Sequence, residues 1–197
     1  MSAAELAYRD EGDPDAPVLV LLHGGAADPW GDLLPALSTW MRVIAPTGPE
    51  PADLPHRVRA LLDGLGVERF AVAAEGEAGP AAQVLAIDRR ADALVLLSSP
   101  TIEEDLAALE IPALVVYGED DPTLPAVELA ERFAEVLAMG SVALLPGRGH
   151  ALLEEAPGTV GPLLFQWLRS AYLRVPHTHG TGPVVVELGR RPSGEGA

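Results

Sequence analysis

Between residues 18 and 117 the chain carries five runs that are apolar at nearly every position: 18–22 (VLVLL), 42–45 (RVIA), 70–74 (FAVAA), 93–97 (ALVLL) and 113–117 (ALVVY). A strand with one face in water alternates apolar and polar residues, because successive side chains point to opposite faces. A strand that is apolar throughout needs cover on both faces, as in a parallel sheet lying between helices. Residues 141–145 read as a further strand, and 5–9 as an edge strand ahead of the set. The segments between carry helical spacing instead. Val58, Leu61, Leu62 and Leu65 recur among Arg57, Arg59 and Asp63. Val127, Leu129, Phe133, Val136 and Leu137 form a second such face, and Val160, Leu163, Leu164, Trp167, Leu168 and Ala171 a third. Strands alternating with helices across short Gly and Pro turns predict an α/β fold: a mainly parallel central sheet flanked by helices on both faces.

A chain of 197 residues with 48% apolar side chains buries enough surface to fold as one domain without a disulfide or metal staple. The expected organisation is a body over 1–174 and a Gly- and Pro-rich tail over 175–197, in which only 184–188 has a strand pattern or could dock on the body. The net charge is −16, and all 13 cationic side chains are Arg. That charge repels phosphate backbones and anionic headgroups, so neither nucleic acid nor membrane is an expected partner. Without Lys there is no Schiff-base chemistry and no Walker-type phosphate loop; without Cys there is no thiolate nucleophile and no zinc–cysteine site. The longest apolar runs hold about five residues, against the ~20 that span a bilayer. Met1-Ser-Ala-Ala-Glu-Leu is neither cationic nor the start of an apolar run, so a cytoplasmic protein without a signal peptide is expected. Heavy use of Ala, Gly, Pro and Arg without Lys suggests a GC-rich bacterial gene. The expected partner is a small-molecule substrate or ligand, with no cofactor and no metal; a homodimer is left open.

Ligands of open α/β sheets bind beyond the carboxyl ends of the strands, so the residues that follow each strand carry the functional information. Here these are His23-Gly24-Gly25, Glu75-Gly76-Glu77-Ala78-Gly79, Gly118-Glu119-Asp120-Asp121-Pro122 and Pro146-Gly147-Arg148-Gly149-His150. From about Glu5 to Arg174 this set resembles an α/β-hydrolase. That family has an oxyanion loop with a His-Gly dipeptide, a nucleophile on a sharp strand-to-helix elbow, an acid after a later strand and a His near the end. The resemblance assigns the acid to Asp121 and the imidazole to His150. It also implies that the backbone N–H groups of Gly25 and Glu77 are the oxyanion donors, with Gly24 letting backbone approach a ligand oxygen. Many members insert a helical cap where this chain has only residues 98–110, so no substantial cap domain is expected.

The elbow departs from the family. Laid on G-x-S-x-G-G, Ala74-Glu75-Gly76-Glu77-Ala78-Gly79 puts Gly76 where the nucleophilic Ser stands. The small residues Ala78, Gly79, Ala81 and Ala82, with the helical stretch 80–86, keep that register. Glycine has no side chain to attack a carbonyl, so the ordinary acyl-enzyme route is absent. Two readings follow. In the first, the missing side chain leaves room beside His150 for a water, whose share of liquid volume is ~30 Å³. His150, oriented by Asp121, is then a general base for cofactor-free hydrolase, lyase or cyclase chemistry on a small molecule. In the second, the chain is an inactive hydrolase-like protein that binds a small molecule or a protein partner.

The remaining polar residues near these loops carry alternatives. Glu75 and Glu77 read as surface charge, or as contacts to a cationic or hydroxyl-bearing ligand; Glu75 as a substitute nucleophile needs the pattern to slip by one residue. Ser98 and Ser99 end the strand beside the elbow, as turn formers, as substrate contacts or as a displaced nucleophile near His150. Asp120 reads as a solvated neighbour of Asp121, and His23 as an anchor for its loop. Trp30, Trp40 and Trp167 read as core or pocket wall. His177 and His179 form a weak metal signal in the tail, and His56 lies on a polar helix face.

Overall fold

A computed structural model describes residues 6–24, 28–47, 53–88, 90–102, 106, 109–173 and 184–187, the last four by backbone alone. The chain alternates strands and helices. β1 (Tyr8–Glu11) and β2 (Val18–His23) are followed by the short α1 (Leu34–Leu37), β3 (Arg42–Pro46) and α2 (Leu54–Gly64). β4 (Phe70–Glu75) runs through a single tight turn, Gly76–Ala78, into α3 (Gly79–Ile87), and β5 (Ala91–Leu97) follows. Then come β6 (Ala113–Gly118), α4 (Ala126–Val136), β7 (Gly140–Leu145), the four-residue α5 (Leu152–Glu155), α6 (Pro157–Trp167) and β8 (Val184–Glu187).

These strands form one eight-stranded sheet in the order β1-β3-β2-β4-β5-β6-β7-β8. Only β1 is antiparallel to its neighbour, pairing Tyr8 with Pro46 at the edge; every other pair is parallel. The expectation of a mainly parallel sheet with helices on both faces is met, and strand parity shows how. Val72 and Ala74 of β4, Leu94 and Leu96 of β5 and Val115 of β6 pack with Val58 and Leu62 of α2, Leu85 of α3 and Phe133 of α4. Ala71 and Ala73, Val95 and Leu97, Leu114 and Val116 pack on the other side with Leu34 of α1, Leu153 of α5 and Leu164 of α6. Each inner strand therefore feeds two cores, and that is why its sequence does not alternate. Trp30 is fully buried in the second core with its indole N–H donated to the Leu22 carbonyl at 2.9 Å. Trp167 is buried in the same core and Trp40 packs at its margin.

The eighth strand lies within the segment read as a tail, and adds to the sheet by parallel pairing of Ser141 with Val184 through Leu144 with Glu187. Between β5 and β6 run residues 98–112 alone. No described helix is long and apolar enough to cross a membrane.

Candidate active site

The carboxyl ends of β4, β6 and β7 bring three loops together. Beyond β6 and β7 the backbone ladder continues: Glu119 N–H donates to the Leu145 carbonyl at 3.0 Å and Asp120 N–H to the Arg148 carbonyl at 2.9 Å. That docking requires glycine at 118, because a Cβ there would collide with the carbonyl oxygens of Gly149 and Arg148. The zipped loops deliver Asp121 and His150, 29 positions apart, to one another: Nδ1 of His150 lies 2.8 Å from Oδ2 of Asp121. The carboxylate side chain is fully shielded from solvent, whereas the imidazole is 31% exposed.

Asp121 is held from several directions. Its Oδ1 accepts the Thr123 hydroxyl at 2.7 Å and the backbone N–H groups of Thr123 at 2.8 Å and Leu124 at 3.1 Å. Burial alone would raise the carboxyl pKa, but these hydrogen bonds and the one from His150 outweigh it and hold the group below its ordinary value. A carboxylate only accepts, so in the neutral imidazole Nδ1 carries the proton and Nε2 the lone pair. Thr123 Oγ1 also lies 2.9 Å from Nδ1, so that proton is shared between two oxygens.

Nε2 faces the elbow. Gly76 is buried and adopts φ +61°, the left-handed region where a side chain is strained and glycine is free. Among the described residues beyond its chain neighbours, a Cβ built on Gly76 would have one within 4 Å: His150 Nε2, at 3.3 Å. The imidazole is thus aimed at the spot where a residue-76 side chain would begin.

Glu77 is exposed on the turn, and the Gly24 backbone lies against it, with a hypothetical residue-24 Cβ 2.7 Å from Glu77 Cβ. Gly25 lies outside the described residues, as do His177 and His179. His23 is buried and pairs in register with Glu75. Glu119 and Asp120 are exposed beside Asp121, and His56 is exposed on α2.

Glu75 corrects the reading as surface charge. β4 extends to this residue, and strand parity turns its side chain into the core beneath α5, where it is 9% exposed and Oε1 accepts the Leu153 N–H at 2.9 Å. Burial raises its carboxyl pKa, partly opposed by that N–H and by His150.

The two serines diverge. Ser99 packs against the first turn of α3; its hydroxyl donates to the Pro100 carbonyl at 2.9 Å and accepts from Gln83 Nε2 at 3.3 Å. Ser98 is fully buried with φ +44°, level with Gly76 one strand over, and its hydroxyl has no partner among the described residues. Neither serine bonds to His150 among the described residues. No described cluster of three His, Asp or Glu side chains could hold a metal ion.

Sequence reasoning missed Thr123, Leu124 and Glu155. An Asp followed two positions later by Thr is an Asx-turn pattern and signals the first two. Glu155, whose carboxylate folds back on the His150 loop, has no local signal.

No family model matches the chain. Among curated proteins it is 28% identical over 79 residues to a non-heme chloroperoxidase of Streptomyces lividans, a match covering 40% of this chain and 29% of that protein. The match spans less than a third of the length of the curated relatives found. Among solved structures, a carboxylesterase from Bacillus subtilis superposes with TM-score 0.75 at 17% identity, covering 83% of this chain and 87% of that one. An epoxide hydrolase of the α/β-hydrolase superfamily, from a metagenome of a hot environment, superposes with TM-score 0.73 at 18% identity over 83% and 94%.

Proposed function

We propose, from the premise that this chain has the α/β-hydrolase fold, that it is an enzyme whose His150–Asp121 pair acts on a small organic substrate without a serine acyl-enzyme. The observation that carries the reading is the aim of the imidazole. Nδ1 is tied to a buried carboxylate at 2.8 Å, while Nε2 points at the glycine of the elbow. A water or substrate atom beside Gly76 then has a general base within reach.

An activated ester is the simplest substrate for this pair. The Nε2 lone pair takes a proton from water as its oxygen bonds to the carbonyl carbon. The imidazolium is stabilised by Asp121, whose depressed pKa keeps it ionised. The carbonyl electrons move onto oxygen, and the Glu77 N–H, in the turn that leads into α3, would receive that charge. Collapse expels the alkoxide or phenolate, which takes the proton from Nε2. The same pair abstracting a proton from carbon would serve lyase or cyclase chemistry. General acid–base help of this kind is worth about 10²–10⁴-fold, so the substrate is an activated one.

The test compares hydrolysis of activated aryl esters by the natural protein and His150→Ala, with fluorophosphonate labelling of both. The proposal expects turnover that falls at least about tenfold without His150, and no fluorophosphonate adduct in the natural protein. An adduct would reveal an activated serine and overturn it. Turnover insensitive to His150 would overturn the role given to the imidazole, and no turnover above the uncatalysed rate would favour the inactive, ligand-binding reading, to which the exposed Glu77 carboxylate at the elbow lends weight, since negative charge there opposes a developing oxyanion.

A further inference from the structure

The geometry points to Glu155 as a positioning residue for the His150 imidazole, acting through the two peptide groups that bracket it; this inference rests on the proton-handling role proposed for His150. Glu155 is the last residue of α5, on the surface. Its carboxylate folds back over the loop. Oε2 accepts the Gly149 N–H at 2.7 Å and Oε1 accepts the Ala151 N–H at 3.2 Å. One two-oxygen acceptor thus grips the chain immediately before and immediately after His150, a bidentate arrangement that fixes direction as well as distance.

The grip closes a ring. The Glu155 N–H donates to the Ala151 carbonyl at 2.8 Å, and the Glu155 carbonyl accepts from the Arg148 guanidinium at 3.3 Å. Residues 148–155 therefore hold one another, with the imidazole projecting toward Asp121 and Gly76. Glu75 fastens the ring to the elbow strand through the Leu153 N–H. The need for such a grip is plain in the sequence of the loop. Gly147, at φ +69°, and Gly149 have no Cβ to restrict the backbone ahead of His150, so hydrogen bonds must hold it, and a displacement of about 1 Å is enough to spoil proton transfer. Glutamine cannot replace the carboxylate, because its single carbonyl oxygen serves one N–H and its amide group turns donors toward the other.

The experiment uses the full chain carrying Glu155→Gln, with Glu155→Asp as a second variant that keeps the charge and shortens the reach. NMR follows the low-field Nδ1–H proton of His150 and the hydrogen exchange of the Gly149 and Ala151 amides, with exchange across β4 and β6 as reference. Glu155→Gln is expected to speed exchange at both bracketing amides by about tenfold or more, and to broaden or remove the Nδ1–H signal, while the sheet amides stay protected. Two results overturn the inference. One is a folded variant whose Nδ1–H signal and bracketing amides are unchanged. The other is protection lost uniformly across the sheet, which marks a general stability role. If Glu155→Gln fails to fold, the same outcomes are read from Glu155→Asp. None of these signals needs a substrate, so failure here stays distinct from a failure of His150 as base, which only turnover reads.

Discussion

Gly76→Ser puts an oxygen onto the elbow of this protein, and the structure allows its consequences to be worked out beforehand. The new Cβ would lie 3.3 Å from His150 Nε2. The hydroxyl is one bond further, and a χ1 rotamer brings it within the ~2.6–3.2 Å reach of a nucleophile–base pair. The substitution has a cost, because residue 76 sits at φ +61°. An L side chain in that region costs roughly 1–2 kcal/mol. The close contact adds little, since the imidazole is part-exposed and can yield by a few tenths of an ångström. At about 2–4 °C per kcal/mol for a chain of this size, Tm should fall by roughly 2–8 °C. The assay is thermal melting by circular dichroism, then fluorophosphonate labelling and aryl-ester turnover for Gly76→Ser alone and combined with His150→Ala. The expected outcome is a folded variant that labels at residue 76 and loses labelling when His150 is removed. An unchanged Tm would mean that the backbone there is unstrained. A folded variant that does not label, or labels equally without His150, would refute the placement of the imidazole over the elbow.

Asp121→Asn should leave the fold intact and lower His150-dependent turnover by about 10²–10⁴-fold, because an amide does not stabilise an imidazolium. The same variant has a pH signature. Folded Asp121 titrates below its ordinary value of 3.8, so its stability contribution is present above that value and lost as pH falls through the lower folded one. Urea denaturation should therefore show the natural protein's advantage over Asp121→Asn shrinking as pH falls below 3.8. Glu75 carries the opposite sign. Burial raises its folded pKa above 4.5, so as pH rises the unfolded chain ionises first and the folded state is penalised until it too ionises. Glu75→Gln keeps an oxygen for the Leu153 N–H, and should melt higher than the natural protein at pH 7 and alike at pH 3; a lower Tm at pH 7 contradicts this account.

Much of the sheet was legible because two-sided burial writes itself directly into the chain. The strand starting at Val18 has no polar side chain before His23, and the structure buries all six residues. The β5 run reads the same way, and only Asp92, near its start, is part-exposed. α2 and α4 were visible from helical spacing, whereas the four-residue α1 and α5 have too few turns to show a period. Glu75 reads as solvated in the sequence because it is a charged residue at a strand end. Its burial depends on α5 supplying an N–H from a segment 78 positions away. Ser98 looks like an ordinary strand-end serine, and nothing local announces φ +44° or a hydroxyl without a partner.

Alone, the amino-acid order determined the layered α/β architecture, the identity of the loops that meet at the carboxyl end of the sheet, and the lack of a side chain at residue 76. These are properties of short windows, where periodicity, turn residues and side-chain chemistry act on neighbours. The tertiary structure decided the rest: that the Asp121 carboxylate is shut away and saturated with donors, that Nε2 looks at the elbow, that Glu75 is buried, and that Glu155 grips both flanks of His150. Such features depend on sub-ångström register between strands brought together by the whole fold, and on the exclusion of water that only the assembled sheet and helices provide.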